Sequence, residues 1–270
     1  MTTDIEKAFL NIGLEEEDRD VTRFFWFDDP TNPNGQLVHY RFKSVLFGAT
    51  CSPFILSTVL MKHLKENTST WTQKLTEDLY VDNIISGFPT EAELISFYSH
   101  TRPLFTKAGF NLRSWGSNSE ALVECAKRDG VLDKDREVKV LGMKWNIESD
   151  TLAFAKQDLT LTKKYVTKRE ILKQSSKIYD PLGIISPITV RAKMFIQDLW
   201  KRKLDWDQKL PQELAEKWFE IAQNTEKATL LELPRMCIPE NHLNTTVHIF
   251  SDASIKAYGA CAYIIPGDQS

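Results

Sequence analysis

The sequence is poor in cysteine and has no closely paired cysteines. Its 270 residues include four, none of them in a Cys-x-x-Cys spacing: Cys51, Cys125, Cys237 and Cys261. Zinc sites and disulfide frameworks need such spacing or systematic pairing, so the scatter argues against both. We therefore expect free thiols in a reducing compartment.

Long apolar runs, a secretion signal, internal repeats and low-complexity tracts are also lacking. No stretch approaches the roughly 20 apolar residues of a membrane span, and the N-terminus does not have the pattern of a signal peptide. Disorder is disfavoured as well, because 42% of the residues are hydrophobic, and 15 Phe and 7 Trp can fill a sizeable core. The expectation is an intracellular protein with no membrane partner.

The small net charge of −3 conceals an uneven distribution of charge. Residues 156–203 carry twelve Lys/Arg and four Asp/Glu, a net charge of +8, which leaves −11 for the remainder. A basic block beside an acidic body is typical of a subdomain that binds a polyanion. From charge counting alone, a solvated helical face explains the block equally well.

Residues 80–83, with the sequence YVDN, predict a tight hairpin that carries a carboxylate. Leu79 precedes them and Ile84 and Ile85 follow, so short β-prone runs flank a polar turn. Such a turn lifts the carboxylate of Asp82 out of the sheet, where it can hold a metal ion. The alternative is an ordinary Asp-Asn turn without catalytic meaning.

Asp4 supplies a second carboxylate, in a strand predicted within residues 1–12. Hard divalent cations bind carboxylate oxygens. Nucleotide polymerisation uses two such ions, about 3.5–4 Å apart, to activate a 3′ hydroxyl and to stabilise the leaving pyrophosphate. The pair of Asp4 and Asp82 is what this chemistry needs. Strand alternation also predicts Glu6 on the face of Asp4 and Asp78 on the face of Asp82.

Capping and turn residues mark several helices. Ser52 and Pro53 predict a helix start with a cap residue followed by proline at the first helical position. Thr90 and Glu93 predict a capping box that opens a helix through about residue 107, which Pro103 should kink or break. The other predicted elements are a hairpin at 23–27 and 37–42, a strand at 138–147, helices near 162–179, 187–203 and 210–223, and a final β pattern from 247 onward.

Four segments resemble, in their order, the palm motifs of reverse transcriptases: residues 3–9, 46–53, 80–83 and 140–145. Residues 110–118 and 179–183 resemble motifs of Pao/BEL-type LTR retrotransposons in particular. The resemblance covers nearly the whole chain, and the ordered set is far more specific than any one motif. It implies an α+β fold: a small antiparallel palm sheet flanked by helices, a helical thumb/connection, and a truncated ribonuclease H-like hairpin.

For catalysis, the resemblance implies that Asp4 and Asp82 ligate two Mg²⁺ or Mn²⁺ ions, with Asn83 beside them in the turn. Reverse transcriptases commonly carry a second aspartate where this chain has Asn83. An amide oxygen can ligate a cation but brings no charge, so activity is open to question. Glu6 or Asp78 are candidates to restore the missing charge, and solvated surface carboxylates are the alternative.

For the nucleotide, the resemblance implies Phe9 beneath the incoming sugar, where a bulky ring excludes a 2′ hydroxyl and favours dNTP. It also implies Phe47 and Gly48 against the nascent base pair, because glycine lets the backbone approach the nucleotide. The alternatives are a core aromatic residue for Phe9 and an ordinary turn before a helix for Phe47 and Gly48.

The resemblance implies a primer grip in residues 141–145, and the alternative there is a plain amphipathic strand. The primer-grip residues are Leu141, Gly142, Met143 and Trp145. The basic helices would follow the phosphates of a primer–template duplex. Asp252 resembles the first carboxylate of a ribonuclease H site, and alone it cannot build one.

The predicted domains are a palm at 1–150 with the fingers region before it missing, a thumb/connection at 151–240, and the start of a ribonuclease H-like domain at 241–270. The predicted function is that of an RNA-directed DNA polymerase segment of a retrotransposon polyprotein, acting on an RNA or DNA template with a primer and on dNTP. The alternative is an inactive remnant or a domesticated nucleic-acid-binding protein. The expected location is cytoplasmic, in virus-like particles, or nuclear, and the oligomeric state stays open.

Overall fold

The computed structural model describes residues 1–32, 34–133, 137–140, 142–155, 165–236 and 245–266. The chain divides into two compact units, residues 1–135 and residues 136–270. Each unit has buried hydrophobic clusters of its own. Helices alternate with small antiparallel sheets, which confirms the predicted α+β class. Within the described residues, no helix combines the length and the apolar character that a membrane crossing requires.

The first unit contains a four-stranded antiparallel sheet packed with helices. Its elements in chain order are β1 (Thr2–Ile5), 3₁₀ turns at Ala8–Asn11 and Glu16–Thr22, β2 (Phe24–Phe27), β3 (Leu37–Tyr40), α1 (Ser52–Glu66), α2 (Thr72–Asp78), β4 (Leu79–Tyr80), β5 (Asn83–Ile85), α3 (Glu91–Lys107), β6 (Leu112–Gly116) and α4 (Glu120–Arg128). The sheet order is β4-β5-β1-β6, so β1 is a central strand. Strands β2 and β3 form the separate hairpin that the sequence predicts.

Helix α1 begins where the sequence predicts, but Ser52 does not cap it. Leu56, Leu60 and Leu64 are buried on one face, as their spacing predicts. Ser52 lies inside the helix, and its hydroxyl donates to the carbonyl of Leu46 at 2.6 Å. Cys51 occupies the N-cap position without a side-chain hydrogen bond. The Ser52 hydroxyl therefore bonds to the preceding loop and does not cap the first turn of the helix.

Helix α3 runs through Pro103, so the predicted break does not occur there. Its start is as predicted, because the Thr90 hydroxyl accepts a hydrogen bond from the Glu93 amide at 3.3 Å. Proline removes one helical N–H, which deprives the Ser99 carbonyl of its partner. Ser99 and Pro103 are both exposed, so water can satisfy that carbonyl.

The described residues of the second unit form a four-stranded antiparallel sheet, three helices and a terminal hairpin. Its elements in chain order are β7 (Glu137–Val140), β8 (Met143–Asn146), β9 (Thr151–Ala153), α5 (Lys168–Ser175), α6 (Ser186–Lys201), α7 (Gln212–Ala228), β10 (Glu232–Pro234), β11 (Thr245–Ala253) and β12 (Tyr258–Pro266). The sheet order is β10-β9-β8-β7, and β11 pairs with β12. The helices enclose a core that includes Phe195 and Trp218.

The single strand predicted at residues 138–147 is wrong, because the structure has a hairpin there. Val140 pairs with Met143, so the chain reverses direction between β7 and β8. Gly142 lies in this turn with a φ of +83°, a conformation that a residue with a side chain rarely adopts. Alternating apolar residues occur in both strands, so the pattern could not reveal the reversal.

Candidate functional site

The sheet of the first unit brings Asp4 next to the Asp82 turn. Strand β1 pairs antiparallel with β5, and Asp4 lies opposite Asn83. The backbone amide of Ile5 donates to the carbonyl of Asp82 at 2.8 Å, which ties the turn to β1. Residues 80 and 83 pair across the turn, so Val81 and Asp82 form a two-residue hairpin loop, as predicted.

The turn holds Val81 in a strained backbone conformation. Its φ is +57°, in the left-handed region that β-branched residues avoid. Such strain persists only where the surrounding structure imposes it, and it concentrates at functional sites. Here the Val81 side chain packs against the core of the unit, and the bond from Ile5 restrains the next residue. The carboxylate of Asp82 is thus carried on a turn of defined shape.

The electrostatics of the site centre on Asp4. Burial raises the pKa of the Asp4 carboxyl above its ordinary value, and the neighbouring Asp82 raises it further, while the Arg113 guanidinium lowers it. Neighbouring carboxylates that disfavour each other's charge are stabilised by a bound cation. Among the described residues, no group of three or more His, Cys, Asp or Glu side chains is arranged to hold a metal.

The two carboxylates that strand alternation singled out both accept hydrogen bonds. Glu6 accepts from Arg113 Nη1 at 2.6 Å and from Asn111 Nδ2 at 2.9 Å. Asp78 ends helix α2 instead of lying on a strand, so the alternation argument for it is wrong. Its carboxylate accepts from the Ser86 hydroxyl at 2.5 Å. Both carboxylates thus have hydrogen-bond partners within the first unit.

Asn83 supports the carboxylate beside it. Its Nδ2 donates to Asp82 Oδ1 at 3.0 Å, so its amide oxygen remains available as a neutral ligand. An aspartate at this position would repel Asp82 instead of donating to it. The substitution that the sequence singles out thus replaces a charge with an orienting hydrogen bond.

The three residues predicted to bind the nucleotide include two aromatic rings in contact. The rings of Phe9 and Phe47 lie 4.9 Å apart, edge to face. Phe9 is only 7% exposed, whereas Phe47 is 59% exposed. Gly48 has a φ of +86°, and a Cβ on it would meet nothing within 4 Å. Gly48 is therefore required by its conformation, and it leaves open space beside the exposed ring.

The residues predicted as a primer grip lie in the second unit and differ in exposure. Met143 and Trp145 are each 3% exposed, while Gly142 is exposed in its turn. The indole Nε1 of Trp145 donates to Asp150 Oδ1 at 2.8 Å. Leu141 lies outside the described residues. Among the three described members of this set, Gly142 is the one that a ligand can reach.

Part of the basic block is used inside the second unit. Lys168 is buried, its ammonium donating to the Leu204 carbonyl and lying 4.1 Å from the centre of the Trp200 ring. Arg169 pairs with Asp207 and Arg191 with Glu220. The exposed cations of helices α5 and α6 and the residues after them include Lys173, Lys193, Lys201, Arg202 and Lys203. These side chains can contact a polyanion.

Asp252, the predicted ribonuclease H remnant, is exposed on β11. It lies opposite Gly259 of β12, and its Oδ1 accepts from the Ala253 amide at 2.8 Å. The hairpin that carries it matches the β pattern expected for the end of the chain. Its role as a catalytic remnant stays a prediction.

A small antiparallel sheet packed with helices carries Asp4 beside the Asp82 turn, as expected for a polymerase palm. The chain belongs to the reverse transcriptase (RNA-dependent DNA polymerase) family, whose model matches residues 1–145. Residues 167–270 match the model of the Pao retrotransposon-like RNaseH-like domain. The predicted resemblance to a Pao-type retrotransposon polyprotein is thereby confirmed.

A solved structure has the same fold over nearly the whole chain. It is a foamy viral protease–reverse transcriptase in complex with double-stranded DNA, with a TM-score of 0.57 and 15% sequence identity. The match covers 97% of this chain and 40% of the viral chain. At this identity the likeness shows the fold alone. A search of curated proteins found no match.

Proposed function

We propose that this chain is a segment of an RNA-directed DNA polymerase that extends a primer 3′ hydroxyl with dNTP. The observation that carries the proposal is the pairing of Asp4 with the Asp82 turn, in which the Asp82 carboxylate disfavours the charge of Asp4. Family membership supports the same chemistry.

The side chains at this site fit divalent cations. Asp4 and Asp82 offer carboxylate oxygens and Asn83 offers an amide oxygen, all of them hard donors that suit Mg²⁺ or Mn²⁺. When bound, two such ions activate the primer hydroxyl and stabilise the leaving pyrophosphate. Asn83 orients the Asp82 carboxylate, and the turn at Val81 carries that carboxylate to the surface of the sheet.

Phe9, Phe47 and Gly48 form the proposed nucleotide platform. The buried Phe9 ring is held in place by the edge-to-face contact with Phe47, so it is a rigid floor for the sugar. The space beside Gly48 lets a base pair approach the backbone. A rigid ring under the sugar would exclude a 2′ hydroxyl and select dNTP.

The proposed macromolecular partner is a primer–template duplex, with RNA or DNA as the template. The exposed Lys and Arg side chains around helix α6 favour phosphate contacts that do not depend on base sequence. The foamy viral relative of this fold was solved with double-stranded DNA, which supports the same class of ligand.

The competing proposal is a catalytically inactive remnant or a domesticated nucleic-acid-binding protein. Asn83 favours it, because the turn carries one carboxylate where reverse transcriptases commonly carry two. Glu6 already pairs with Arg113 and accepts a hydrogen bond from Asn111, so its charge is balanced within the unit. Both proposals share the fold and differ only in whether the chain extends a primer.

Primer extension on poly(rA)·oligo(dT) with Mg²⁺ or Mn²⁺ separates the two proposals. We expect extension by the wild-type protein and its loss in Asp82→Ala, because a single remaining carboxylate cannot hold the ions. Asp18→Ala removes an exposed carboxylate of the same unit and should extend normally. Extension that survives Asp82→Ala, or no extension by folded wild-type protein, would overturn the polymerase proposal.

A further inference from the structure

The turn at Gly142 is covered by the ring of Tyr179. A Cβ built on Gly142 would lie 2.6 Å from Cδ1 and Cε1 of that ring, closer than carbon atoms can approach. The ring therefore rests directly on the glycine backbone. Gly142 also has a positive φ, so two independent constraints require glycine at this position.

Tyr179 is held in place by the segment that contains it. Asp180 accepts hydrogen bonds from the backbone amides of Ile184 and Ile185, each at 3.0 Å. Ile178 and Ile185 pack in a cluster with Met143 of strand β8. Residues on both sides of Tyr179 are thus anchored, and the segment is joined to the hairpin that it covers.

The contact lies at the surface and is open to a ligand. Tyr179 is 59% exposed although one part of its ring lies against Gly142, and Gly142 is itself exposed. The exposed glycine backbone and the exposed ring form one continuous patch.

We propose that Tyr179 is a positioning residue that holds the turn at Gly142 in the conformation that binds the primer 3′ end. The inference deepens the proposed function and rests on it. The ring acts through the Gly142 backbone: it prevents the turn from moving toward the space that the ring occupies, and the primer strand lies along the turn. Because the ring touches the backbone, a change at residue 179 should alter the conformation of the turn at residue 142.

The test compares how long the full chain retains two duplexes of equal length, one with a recessed primer 3′ end and one with blunt ends. We expect the wild-type protein to release the recessed duplex more slowly. In Tyr179→Ala the dissociation rate of the recessed duplex should rise about three- to tenfold, the range expected for one aromatic contact. The dissociation rate of the blunt duplex should stay unchanged. Tyr179→Phe keeps the ring and should behave as wild type.

Two further variants control for folding and for local strain. Phe219→Ala removes an exposed aromatic ring from helix α7 of the same unit and should leave both rates unchanged. Gly142→Ala should reproduce the selective effect of Tyr179→Ala, because it pushes against the same ring. The double variant should then be little more impaired than either single variant, as expected for two residues that touch.

The outcomes separate this inference from the proposed catalysis. If Tyr179→Ala speeds release of both duplexes equally, or of neither, the positioning role is overturned even if the protein extends primers. If wild-type protein does not extend primers but shows the selective change, catalysis fails and the positioning role stands. Wild-type protein that does not distinguish the two duplexes overturns the positioning role directly.

Discussion

At the scale of single residues, the Asp4 carboxylate lowers the stability of the folded protein. Its carboxyl is held partly buried beside Asp82, so its pKa in the folded protein lies above that of the unfolded chain. Folding with an ionised Asp4 therefore costs free energy. This cost is absent well below the unfolded pKa, appears as the pH rises through the two pKa values, and is complete above the folded pKa.

Asp4→Asn should therefore stabilise the metal-free protein near neutral pH. We expect Tm to rise by a few degrees at pH 7 and to be almost unchanged near pH 3, where Asp4 is protonated in both states. Thermal unfolding followed by circular dichroism from pH 3 to pH 8 measures this. Asp18→Asn is the control, an exposed carboxylate of the same unit. If the difference in Tm between Asp4→Asn and wild type were smaller at pH 7 than at pH 3, the raised pKa of Asp4 would be contradicted.

Residue identity alone did not reveal the backbone strain in the turn that carries Asp82. Nothing about a valine predicts a positive φ, and the conformation of Val81 follows from the register of β4 and β5 and from its contact with the core. The role of Asn83 as a donor to Asp82 was likewise invisible in the sequence. Both depend on which atoms the sheet brings into contact.

At the scale of elements, helix α1 shows where periodicity is informative. Leu56, Leu60 and Leu64 recur every four residues and all face the core of the first unit. Spacing of this kind reports directly on one face of a helix. The exposed face of the same helix carries Phe54, which is 73% exposed.

Leu60→Ala should destabilise the first unit by about 2–5 kcal/mol, because it removes buried methyl groups and leaves a cavity. Phe54→Ala removes a larger side chain from the surface of the same helix and should cost less than about 0.5 kcal/mol. Urea unfolding of both variants measures the difference. Equal destabilisation by the two substitutions would mean that α1 does not bury the face that carries Leu60.

Other elements were predicted less well, for identifiable reasons. Helix α3 passes through Pro103 because the carbonyl that proline leaves without a partner is exposed to water. Residues 138–147 form two strands because Gly142 can adopt a positive φ and reverse the chain. Asp78 ends a helix, although its even spacing in sequence from Asp82 suggested a shared strand face. In each case the sequence allowed two local structures and long-range packing selected one.

At the scale of the whole molecule, charge is distributed in a way that composition hides. The net charge of −3 arises from a basic block at 156–203 and an acidic remainder. Within that block Lys168 is buried, while Arg169 and Arg191 are exposed and paired with Asp207 and Glu220. The cations after helix α6 are exposed.

Binding of a primer–template duplex should depend strongly on salt, through the exposed cations Lys201, Arg202 and Lys203. Replacing all three with glutamine should reduce the slope of log K against log salt by up to about 2.7, or about 0.9 for each phosphate that is no longer neutralised. Fluorescence anisotropy between 50 and 200 mM salt, about the range over which such binding weakens, gives the slope.

A matched charge change elsewhere is the control for that measurement. Three exposed lysines outside α6 can be replaced with glutamine: Lys65, Lys227 and Lys256. An unchanged slope is expected for this variant. If both triple variants shift the slope equally, binding follows net charge and not the surface at the end of α6.

The sequence by itself determined the order of the motifs and the family to which they belong. Asp4 and Asp82 could be selected as carboxylates on predicted β elements. Phe9 and Gly48 could be selected only through the resemblance that the ordered motifs carry, which the family match over residues 1–145 confirms. Only the tertiary structure decided which residues meet. The pairing of Asp4 with Asn83, the hydrogen bonds that occupy Glu6, and the ring of Tyr179 on Gly142 join residues far apart in the chain. Such contacts depend on strand register and packing, which a local pattern of residues does not specify.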